Sequence, residues 1–283
     1  MVPPPLCSVP PRCQVRDTGA SAVASPKSIK IATFNVRGCT NPVTRCQIGR
    51  MFQRQELDVC ALSETMMSGS GEVRFGDVVG RASGIVGGSA TEGVALLLSD
   101  RMTQYVEEWK LVSDRLMWVR ITINKECWVF LSAFGPGIEE KEEVIDQFWN
   151  DLSDCVGSFC RNEYVVVLGD LNAKVGNEIV EGIVGKFGVP GIDDNGERLL
   201  EMCDDQELVV GNTLFEKKEV NRYTWIRKVE GRVIDWALVD YVLISKSVHG
   251  RLLNVNVRGK GEGISDHCMV EATLRVVCET NNF

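Results

Sequence analysis

Seven polar side chains stand at the ends of apolar segments of the sequence. They are Asn35, Glu64, Asp170, Asn172, Asp240, Asp266 and His267. Each follows or interrupts a run of apolar residues typical of a buried strand. Acidic side chains beside such runs are costly to bury unless they are paired or bound to a metal ion. A set of Asp, Glu and Asn oxygens without thiolates favours hard cations such as Mg²⁺ or Mn²⁺.

Four of these side chains also fit an ordinary local role. Asn35 precedes Gly38 closely enough to cap a turn, and Glu64 fits an acid placed before a following segment. Asp170 and Asn172 fit an Asx turn, in which a short polar side chain bonds to backbone two residues on. Each residue is ambiguous alone, and the functional interpretation depends on whether they converge.

The remaining three are harder to explain locally. Asp240 lies within an apolar segment, where an acid needs a partner. His267 is one of only two histidines, it follows Asp266, and it leads into an apolar strand. A core histidine is the ordinary interpretation, but the acid beside it favours a functional role.

The segments that must position these side chains alternate between strand and helix patterns. Strands are predicted at 30–36, 57–63, 93–98, 117–123, 127–134, 163–168, 223–228, 232–244 and 266–276, with Gly-rich loops around 69–90 and helices at 44–55, 139–159 and 195–205. This alternation, with polar residues at strand ends, predicts two packed sheets with helices outside. We therefore expect an α/β fold over residues 29–278, a four-layered α/β sandwich of two mixed β-sheets flanked by helices. Residues 1–28, rich in Pro, Ser and Ala, predict a disordered tail.

Six motifs, taken in order, resemble those of the endonuclease/exonuclease/phosphatase superfamily. They are TFNVRG (33–38), LSET (62–65), SAFGP (132–136), GDLNAKVG (169–176), VDYVLIS (239–245) and SDH (265–267). The resemblance covers roughly residues 29–276. Within the superfamily the chain resembles endonuclease domains of LINE-type retrotransposons and the craniofacial development protein 2-like proteins, notably over residues 195–203 and 212–227. It therefore looks like a retrotransposon-derived endonuclease module.

The resemblance implies a metal-dependent phosphodiesterase that nicks DNA. His267 would act as general base and activate water for in-line attack on phosphorus, and Asp240 would orient its imidazole. Asp170 and Asn172 would position the phosphate and assist the attacking water or the leaving 3′-oxygen. Which of the two does which stays open.

The resemblance also implies where the cofactor would bind. Glu64, with help from Asn35 and Asp266, would hold Mg²⁺ against a phosphate oxygen, with Mn²⁺ as a substitute. The cation would offset the negative charge that grows in the transition state.

One departure from the family pattern lies in the third motif. Active relatives usually carry a Tyr that hydrogen-bonds the phosphate, and this sequence has Phe134, with Gly137 where many relatives have Asn. We expect the loss of this donor to weaken catalysis without abolishing it. Arg161 and Lys141 are candidates to replace it.

The segment around Trp225 is the candidate DNA-binding surface. The resemblance places an aromatic residue here near the minor groove or an unstacked base, whereas a core tryptophan is the ordinary alternative. Arg222 and Arg227 flank Trp225, and basic and aromatic residues interleaved in this way suit backbone contacts and stacking.

Charge limits how DNA would be held. The net charge of −8 argues against a protein held on nucleic acid by its overall field. Residues 139–154 hold seven acids and one base, and residues 217–260 hold ten bases and four acids. We therefore expect weak, backbone-directed contact with DNA through the C-terminal third, and we predict no obligate protein partner.

The remaining composition bears on location. Eleven cysteines without CxxC pairs indicate thiols in a reducing compartment, not disulfides or a zinc site. A run of about 18 apolar residues and a secretory signal are both missing. We expect an intracellular protein that is not secreted and does not contact membranes, nuclear if its target is chromosomal DNA.

Two alternatives stay open. The first is a catalytically impaired retroelement remnant that acts as a binding protein, which the change at Phe134 favours. The second is the same chemistry on a non-DNA phosphoester, such as an inositol phosphate, a sphingolipid head group or an RNA tail.

Overall fold

The strands of this computed structural model form two large sheets and a hairpin. The described residues are 26–84, 92–258 and 264–276. In chain order the strands are β1 (Ser28–Asn35), β2 (Val59–Ser63), β3 (Gly71–Phe75), β4 (Val78–Ser83), β5 (Val94–Leu98), β6 (Val106–Leu111), β7 (Leu116–Ile123), β8 (Glu126–Phe134), β9 (Glu163–Asp170), β10 (Leu208–Val210), β11 (Trp225–Val229), β12 (Arg232–Ala237), β13 (Asp240–Ser245), β14 (Leu252–Arg258) and β15 (Met269–Arg275). The α-helices are α1 (Pro42–Arg54), α2 (Asp100–Thr103), α3 (Glu142–Gly157) and α4 (Asp194–Asp205), and 3₁₀ turns occupy Gly211–Thr213, Glu219–Asn221 and Lys246–Arg251.

Both large sheets are mixed. The seven-stranded sheet has the order β14-β15-β1-β2-β5-β4-β3, and the six-stranded sheet has the order β10-β13-β9-β8-β7-β6. Strands β1 and β2 are parallel, as are β8 and β9, and the other neighbours are antiparallel. Strands β11 and β12 form a separate hairpin.

Three apolar clusters connect the layers. The central cluster lies between the two sheets and includes Ile31, Trp128 and Val166. Helix α1 covers the outer face of the seven-stranded sheet, and α3 and α4 cover the outer face of the six-stranded sheet. The predicted four-layered sandwich is confirmed. Within the three described ranges, no helix is long and apolar enough to cross a membrane.

The structure explains why the segment that forms β9 could be predicted as a buried strand. Val166 and Leu168 face the central cluster, while Val165 and Val167 face helices α3 and α4. A strand covered on both faces has no exposed side, so its residues are continuously apolar.

Several element predictions were wrong. The predicted strand 232–244 is two strands, because the chain leaves the β11–β12 hairpin at Ala237 and enters the six-stranded sheet at Asp240. The helix predicted from residue 139 begins at Glu142, and Trp149 is on its buried face, whereas Val144, predicted there, is 37% exposed.

Five strands were not predicted, namely β3, β4, β6, β10 and β14. Strands β3 and β4 fall inside the segment that we predicted as Gly-rich loops. Strands β3 and β6 are sheet edges, rich in charged residues and largely exposed, so they lack the apolar alternation that marks a strand. Most of the predicted tail, residues 1–25, lies outside the described residues, and Ser28 already belongs to β1.

The sheet pairing brings several strand ends to one place. Asn35 pairs with Ser63 at the carboxyl ends of β1 and β2, and Phe134 pairs with Asp170 at the carboxyl ends of β8 and β9. Asp240 begins the antiparallel strand β13 and is also paired with Asp170. Since β1 packs against β9, these ends of the two sheets lie at the same edge of the sandwich.

Candidate active site

Asn35 joins the two sheets at the centre of this edge. Its buried side chain donates hydrogen bonds from Nδ2 to Glu64 Oε1 at 2.7 Å and to Asp170 Oδ2 at 2.8 Å. Its own oxygen accepts a hydrogen bond from the Arg37 amide at 3.0 Å. One amide group therefore holds a carboxylate of the seven-stranded sheet beside a carboxylate of the six-stranded sheet.

Two of the candidate residues adopt a left-handed backbone. Glu64 has a φ of +50° and Asn172 a φ of +45°, values that non-glycine residues adopt rarely and at a cost of about 1–2 kcal/mol. The Gly38 amide donates to the Glu64 carbonyl at 2.7 Å, and the Asn172 amide donates to Asp170 Oδ1 at 3.1 Å. The Asx turn considered for Asp170 is therefore present, and it leaves Oδ2 directed at the site.

A histidine–aspartate pair lies beside these carboxylates. His267 Nδ1 is 3.0 Å from Asp240 Oδ2, and Nε2 is 3.7 Å from Asp170 Oδ2. All three side chains are at least 90% buried. A single imidazole ring therefore stands between two buried carboxylates.

Thr224 fixes both members of that pair, and the sequence reasoning missed it. Its hydroxyl accepts hydrogen bonds from the Val239 and Asp240 amides, each at 3.1 Å. Its carbonyl accepts one from the Cys268 amide at 2.6 Å. Thr224 is fully buried, yet nothing in its local sequence distinguishes it from an ordinary buried hydroxyl.

The pKa values of Asp170 and His267 are shifted because these ionisable groups are buried close to Asp240 and to each other. Burial and then the Asp240 carboxylate raise the pKa of Asp170 to about 7, against the opposing effect of His267. Burial alone would lower the pKa of His267, but Asp240 and Asp170 outweigh it and raise that pKa to about 9. The site therefore favours a protonated imidazole and disfavours the charged form of Asp170.

The donor atoms fit a divalent cation. Donor atoms of Glu64, Asp170 and His267 lie within 4.8 Å of one another, so one ion can be reached by all three. The two carboxylate oxygens suit hard ions such as Mg²⁺ or Mn²⁺, whereas the imidazole nitrogen suits borderline ions such as Zn²⁺ or Fe²⁺. In the described part of the chain, Asp240 Oδ1 and Asp266 Oδ1 are buried without a hydrogen-bond partner, so the acids at this edge have more acceptor atoms than the protein's own donors satisfy.

Two residues predicted to hold the metal have other partners. Asn35 presents its amide hydrogens, not its oxygen, to the carboxylates. Asp266 Oδ2 accepts hydrogen bonds from an Arg37 terminal nitrogen at 2.8 Å and from Trp225 Nε1 at 3.1 Å. Of the predicted metal residues only Glu64 belongs to the converging trio, and the other two members were predicted as catalytic.

The site opens into a cleft with a volume of about 340 Å³. It is lined by Arg37, Glu64, Gly137, Ile138, Glu139, Asn172, Lys174, Asp193, Trp225, Ala237, Val239, Asp266 and His267. A larger cavity of about 640 Å³ borders Ser28 and Asp58 at the opposite end of β1 and β2. It lies away from the converging acids, so we assign the chemistry to the smaller cleft.

The four predicted substrate-binding residues lie in different surroundings. Trp225 lines the cleft, and Arg227 is exposed on β11. Arg222 donates to two backbone carbonyls, those of Lys217 and Gly188, so its guanidinium supports neighbouring loops. Phe134 is 7% exposed and packs into the central cluster below the site.

The Arg115 guanidinium lies over the Phe134 ring. Its guanidinium carbon lies 5.1 Å from the centre of the Phe134 ring, and the same group pairs with Glu92 and Glu140. Arg161, which we considered as a compensating donor, precedes β9 at the end opposite Asp170, roughly 25 Å away at about 3.3 Å per residue. That suggestion was wrong.

Lys141, the other residue considered, immediately precedes α3 and is exposed.

Asn195 on α4 is a second positioning residue that the sequence did not reveal. Its side chain is 1% exposed and accepts a hydrogen bond from Trp149 Nε1 at 3.1 Å. It donates to the carbonyls of Pro136 and Asn172 at 2.9 and 3.0 Å. One side chain thus ties both loops that border the cleft to the helical layer.

The fold and the site together define the class of nucleases and phosphatases built on two packed mixed sheets, with acids and a histidine at the strand ends. The chain belongs to the Endonuclease/Exonuclease/phosphatase family, whose model matches residues 32–267. The family resemblance drawn from the six motifs is confirmed.

Curated relatives extend the comparison. The chain is 28% identical over 250 residues to craniofacial development protein 2 of Bos taurus, covering 87% of this chain and 41% of that protein. It is 27% identical over 250 residues to the Tragulus javanicus protein of the same name, covering 87% and 42%. The chain therefore spans about two-fifths of the length of these relatives.

Solved structures share the fold. The endonuclease domain of TRAS1, a telomere-specific non-LTR retrotransposon, gives a TM-score of 0.61 at 14% identity, covering 88% of this chain and all of that one. The AP endonuclease LMAP of Leishmania major gives 0.63 at 12% identity, covering 89% of each. At these identities the similarity establishes the architecture alone.

The raised pKa of His267 can be tested by titration. In protein stripped of metal with EDTA, we expect His267 to titrate near pH 9, because the two carboxylates stabilise its charged form. A pKa raised above the unfolded value means that this stabilisation is complete below about pH 6.5 and is lost as pH rises through 9. NMR titration measures it directly, and His249→Ala assigns the signal because the chain has two histidines.

The Asp240→Asn variant tests whether the Asp240 carboxylate raises the pKa of His267. Removing the Asp240 charge leaves the burial that disfavours the imidazolium, so the pKa of His267 should fall. Asp235→Asn, an exposed acid on the hairpin, is the matched control and should leave it unchanged. A wild-type value at or below 6.5, or an unchanged value in Asp240→Asn, contradicts this electrostatic description.

Proposed function

We propose that this chain is a divalent-metal-dependent phosphodiesterase that nicks the DNA backbone, with Mg²⁺ as its cofactor and Mn²⁺ as a substitute. The observation that carries the proposal is that Glu64, Asp170 and the Asp240–His267 pair lie together, with Glu64 and His267 lining one cleft. Family membership and the two endonucleases among the similar structures support it.

Glu64 and Asp170 are the residues that would hold the cation, with Asn35 keeping them together. A bound divalent ion supplies positive charge against the growing negative charge of the phosphoryl transition state. This assignment leaves His267 for proton transfer.

His267 and Asp240 form the base. Asp240 accepts the Nδ1–H hydrogen bond, which fixes the tautomer and leaves Nε2 facing the cleft. His267 takes a proton from water at Nε2 and gains the stabilisation of Asp240 as it becomes charged. Asp240 and, to a smaller extent, Asp170 stabilise the charged ring, so a cation that offsets the charge of Asp170 would favour the neutral imidazole that a base requires.

Asn172 is placed to contact the phosphate. Its side-chain amide donates to the Gly135 carbonyl at 2.9 Å, and its backbone carbonyl is held by Asn195. A side chain fixed in this way at the cleft wall can orient the phosphate or assist the leaving 3′-oxygen without further ordering.

DNA is the substrate that the surroundings favour. Trp225 offers an indole at the cleft wall for stacking, and residues 217–260 carry an excess of six positive charges. The net charge of −8 keeps the binding weak and directed at the backbone. Nuclear residence would follow if chromosomal DNA is the target.

Plasmid nicking tests the proposal. Purified protein should convert supercoiled plasmid to the open-circular form in Mg²⁺, and EDTA should abolish the reaction. His267→Ala and Asp240→Asn should each slow it by about 10²–10⁴-fold, because each removes part of the positioned base. His249→Ala replaces the other, exposed histidine and should cut normally. Absence of nicking by the wild type would refute DNA cleavage.

A catalytically impaired protein is the second candidate, and Phe134 favours it. Phe134 lies at the strand position paired with Asp170, at the edge of the sheets where the acids meet. We expect Phe134→Tyr to raise the nicking rate about tenfold, by adding one phosphate donor. Phe159→Tyr, which changes a ring packed on Trp118 away from the cleft, is the control. An unchanged rate in Phe134→Tyr would show that Phe134 does not limit this site.

A further inference from the structure

The charged side chains that line the cleft would not attract an anion by themselves, because acidic residues outnumber basic ones. Four carboxylates, those of Glu64, Glu139, Asp193 and Asp266, face Arg37, Lys174 and the imidazole of His267, which the proposed function reserves for proton transfer. A phosphodiester carries a negative charge, and one divalent ion held by Glu64 and Asp170 is largely offset by the acids that bind it. A protein cation at the cleft wall is therefore needed to attract the substrate.

Arg37 is held at that wall by two contacts, one from its backbone and one from its side chain. Its backbone is left-handed, with a φ of +45°, and its amide donates to the Asn35 side chain that holds the two metal-binding acids. The guanidinium pairs with Asp266 Oδ2, which also accepts the Trp225 indole N–H. The Asp266 carboxylate thus fixes Arg37 and Trp225 beside each other, next to His267.

The Arg37 guanidinium has exposed N–H donors that can bind a ligand. The ion pair with Asp266 uses one terminal nitrogen of the group, and 56% of the side chain is exposed. A guanidinium has five N–H donors in a planar fork that matches two phosphate oxygens. Lys174, the other cation among the residues that line the cleft, is exposed, and its ammonium offers no such fork.

Other arginines near the site are engaged elsewhere. Arg115 is 8% exposed and pairs with Glu92 and Glu140. Arg222 donates to backbone carbonyls and lies over the Phe187 ring at 5.6 Å. Arg37, by contrast, lines the cleft, and its guanidinium is both exposed and held in a fixed orientation.

We propose that Arg37 is a substrate-binding residue that grips a phosphate oxygen of the bound phosphodiester, with Asp266 as its positioning partner. This inference rests on the proposed function. Arg37 belongs to the first of the six motifs, but the resemblance assigned it no role in binding or catalysis. Asp266, predicted from the sequence as a metal ligand, acts here by aiming the guanidinium and the indole.

The test compares Arg37→Gln and Arg37→Lys with Arg74→Gln, an exposed arginine on edge strand β3. Binding of a fluorescent DNA duplex is followed by anisotropy across a range of NaCl concentrations, with Ca²⁺ as the cation. Arg37→Gln should weaken binding roughly tenfold and lower the slope of log affinity against log salt by about one, because one phosphate contact is lost. Arg37→Lys should restore the slope but only part of the affinity, and Arg74→Gln should match the wild type.

A structural role for Arg37 gives a different result. If it served only to hold Asp266, Arg37→Gln would lower the melting temperature or kcat while the salt slope stayed unchanged, and that result overturns the proposal. The KM for bis(4-nitrophenyl) phosphate in Mg²⁺ separates the two proposals. A wild type that hydrolyses this diester but neither binds nor nicks DNA refutes the DNA proposal, and a raised KM in Arg37→Gln then still supports Arg37. A wild type inactive on both substrates refutes both proposals.

Discussion

The site depends on two buried carboxylates that face each other on paired strands. Asp170 and Asp240 occupy partner positions on β9 and β13, and both are essentially inaccessible to solvent. Two like charges in such a place repel each other and are also poorly solvated, so the arrangement is stable only with positive charge between or beside them. His267 supplies it on one side, 3.0 Å from Asp240 and 3.7 Å from Asp170. The opening toward Glu64 leaves room for a cation on the other.

The rest of the fold holds this arrangement in place. Asn35 spans the two sheets and fixes Glu64 against Asp170, while Thr224 fixes the chain segments that carry Asp240 and His267. Asn195 ties the cleft loops to the helices. Each of these three groups is buried with its hydrogen bonds satisfied mainly by backbone or by the acids. Such contacts rigidify a site because a buried polar group that loses its partner costs about 1–3 kcal/mol.

Much of the architecture could be predicted from the sequence, and the misses have physical causes. Strand β9 was clear because both of its faces are apolar, while the charged edge strands β3 and β6 carried no alternation to detect. The family resemblance assigned His267 and Asp240 as catalytic residues and Asp266 as a metal ligand, and these roles stay predictions. Asp266 contacts Arg37 and Trp225, while its neighbour His267 contacts Asp240, a division that only the tertiary structure decides. Thr224 and Asn195 could not be predicted, because only tertiary contacts distinguish them from other buried polar residues.

Metal binding is the most direct test that Glu64 and Asp170 share one divalent cation. Calorimetric titration of Mn²⁺ into EDTA-stripped protein should show one site per chain, weakened at least tenfold in Glu64→Gln and in Asp170→Asn, since each loses a charged ligand. Asp77→Asn, an acid that borders the larger cavity, should bind like the wild type. Binding that is absent in the wild type, or that is equally strong in Glu64→Gln, would contradict a metal centre at this edge of the sheets.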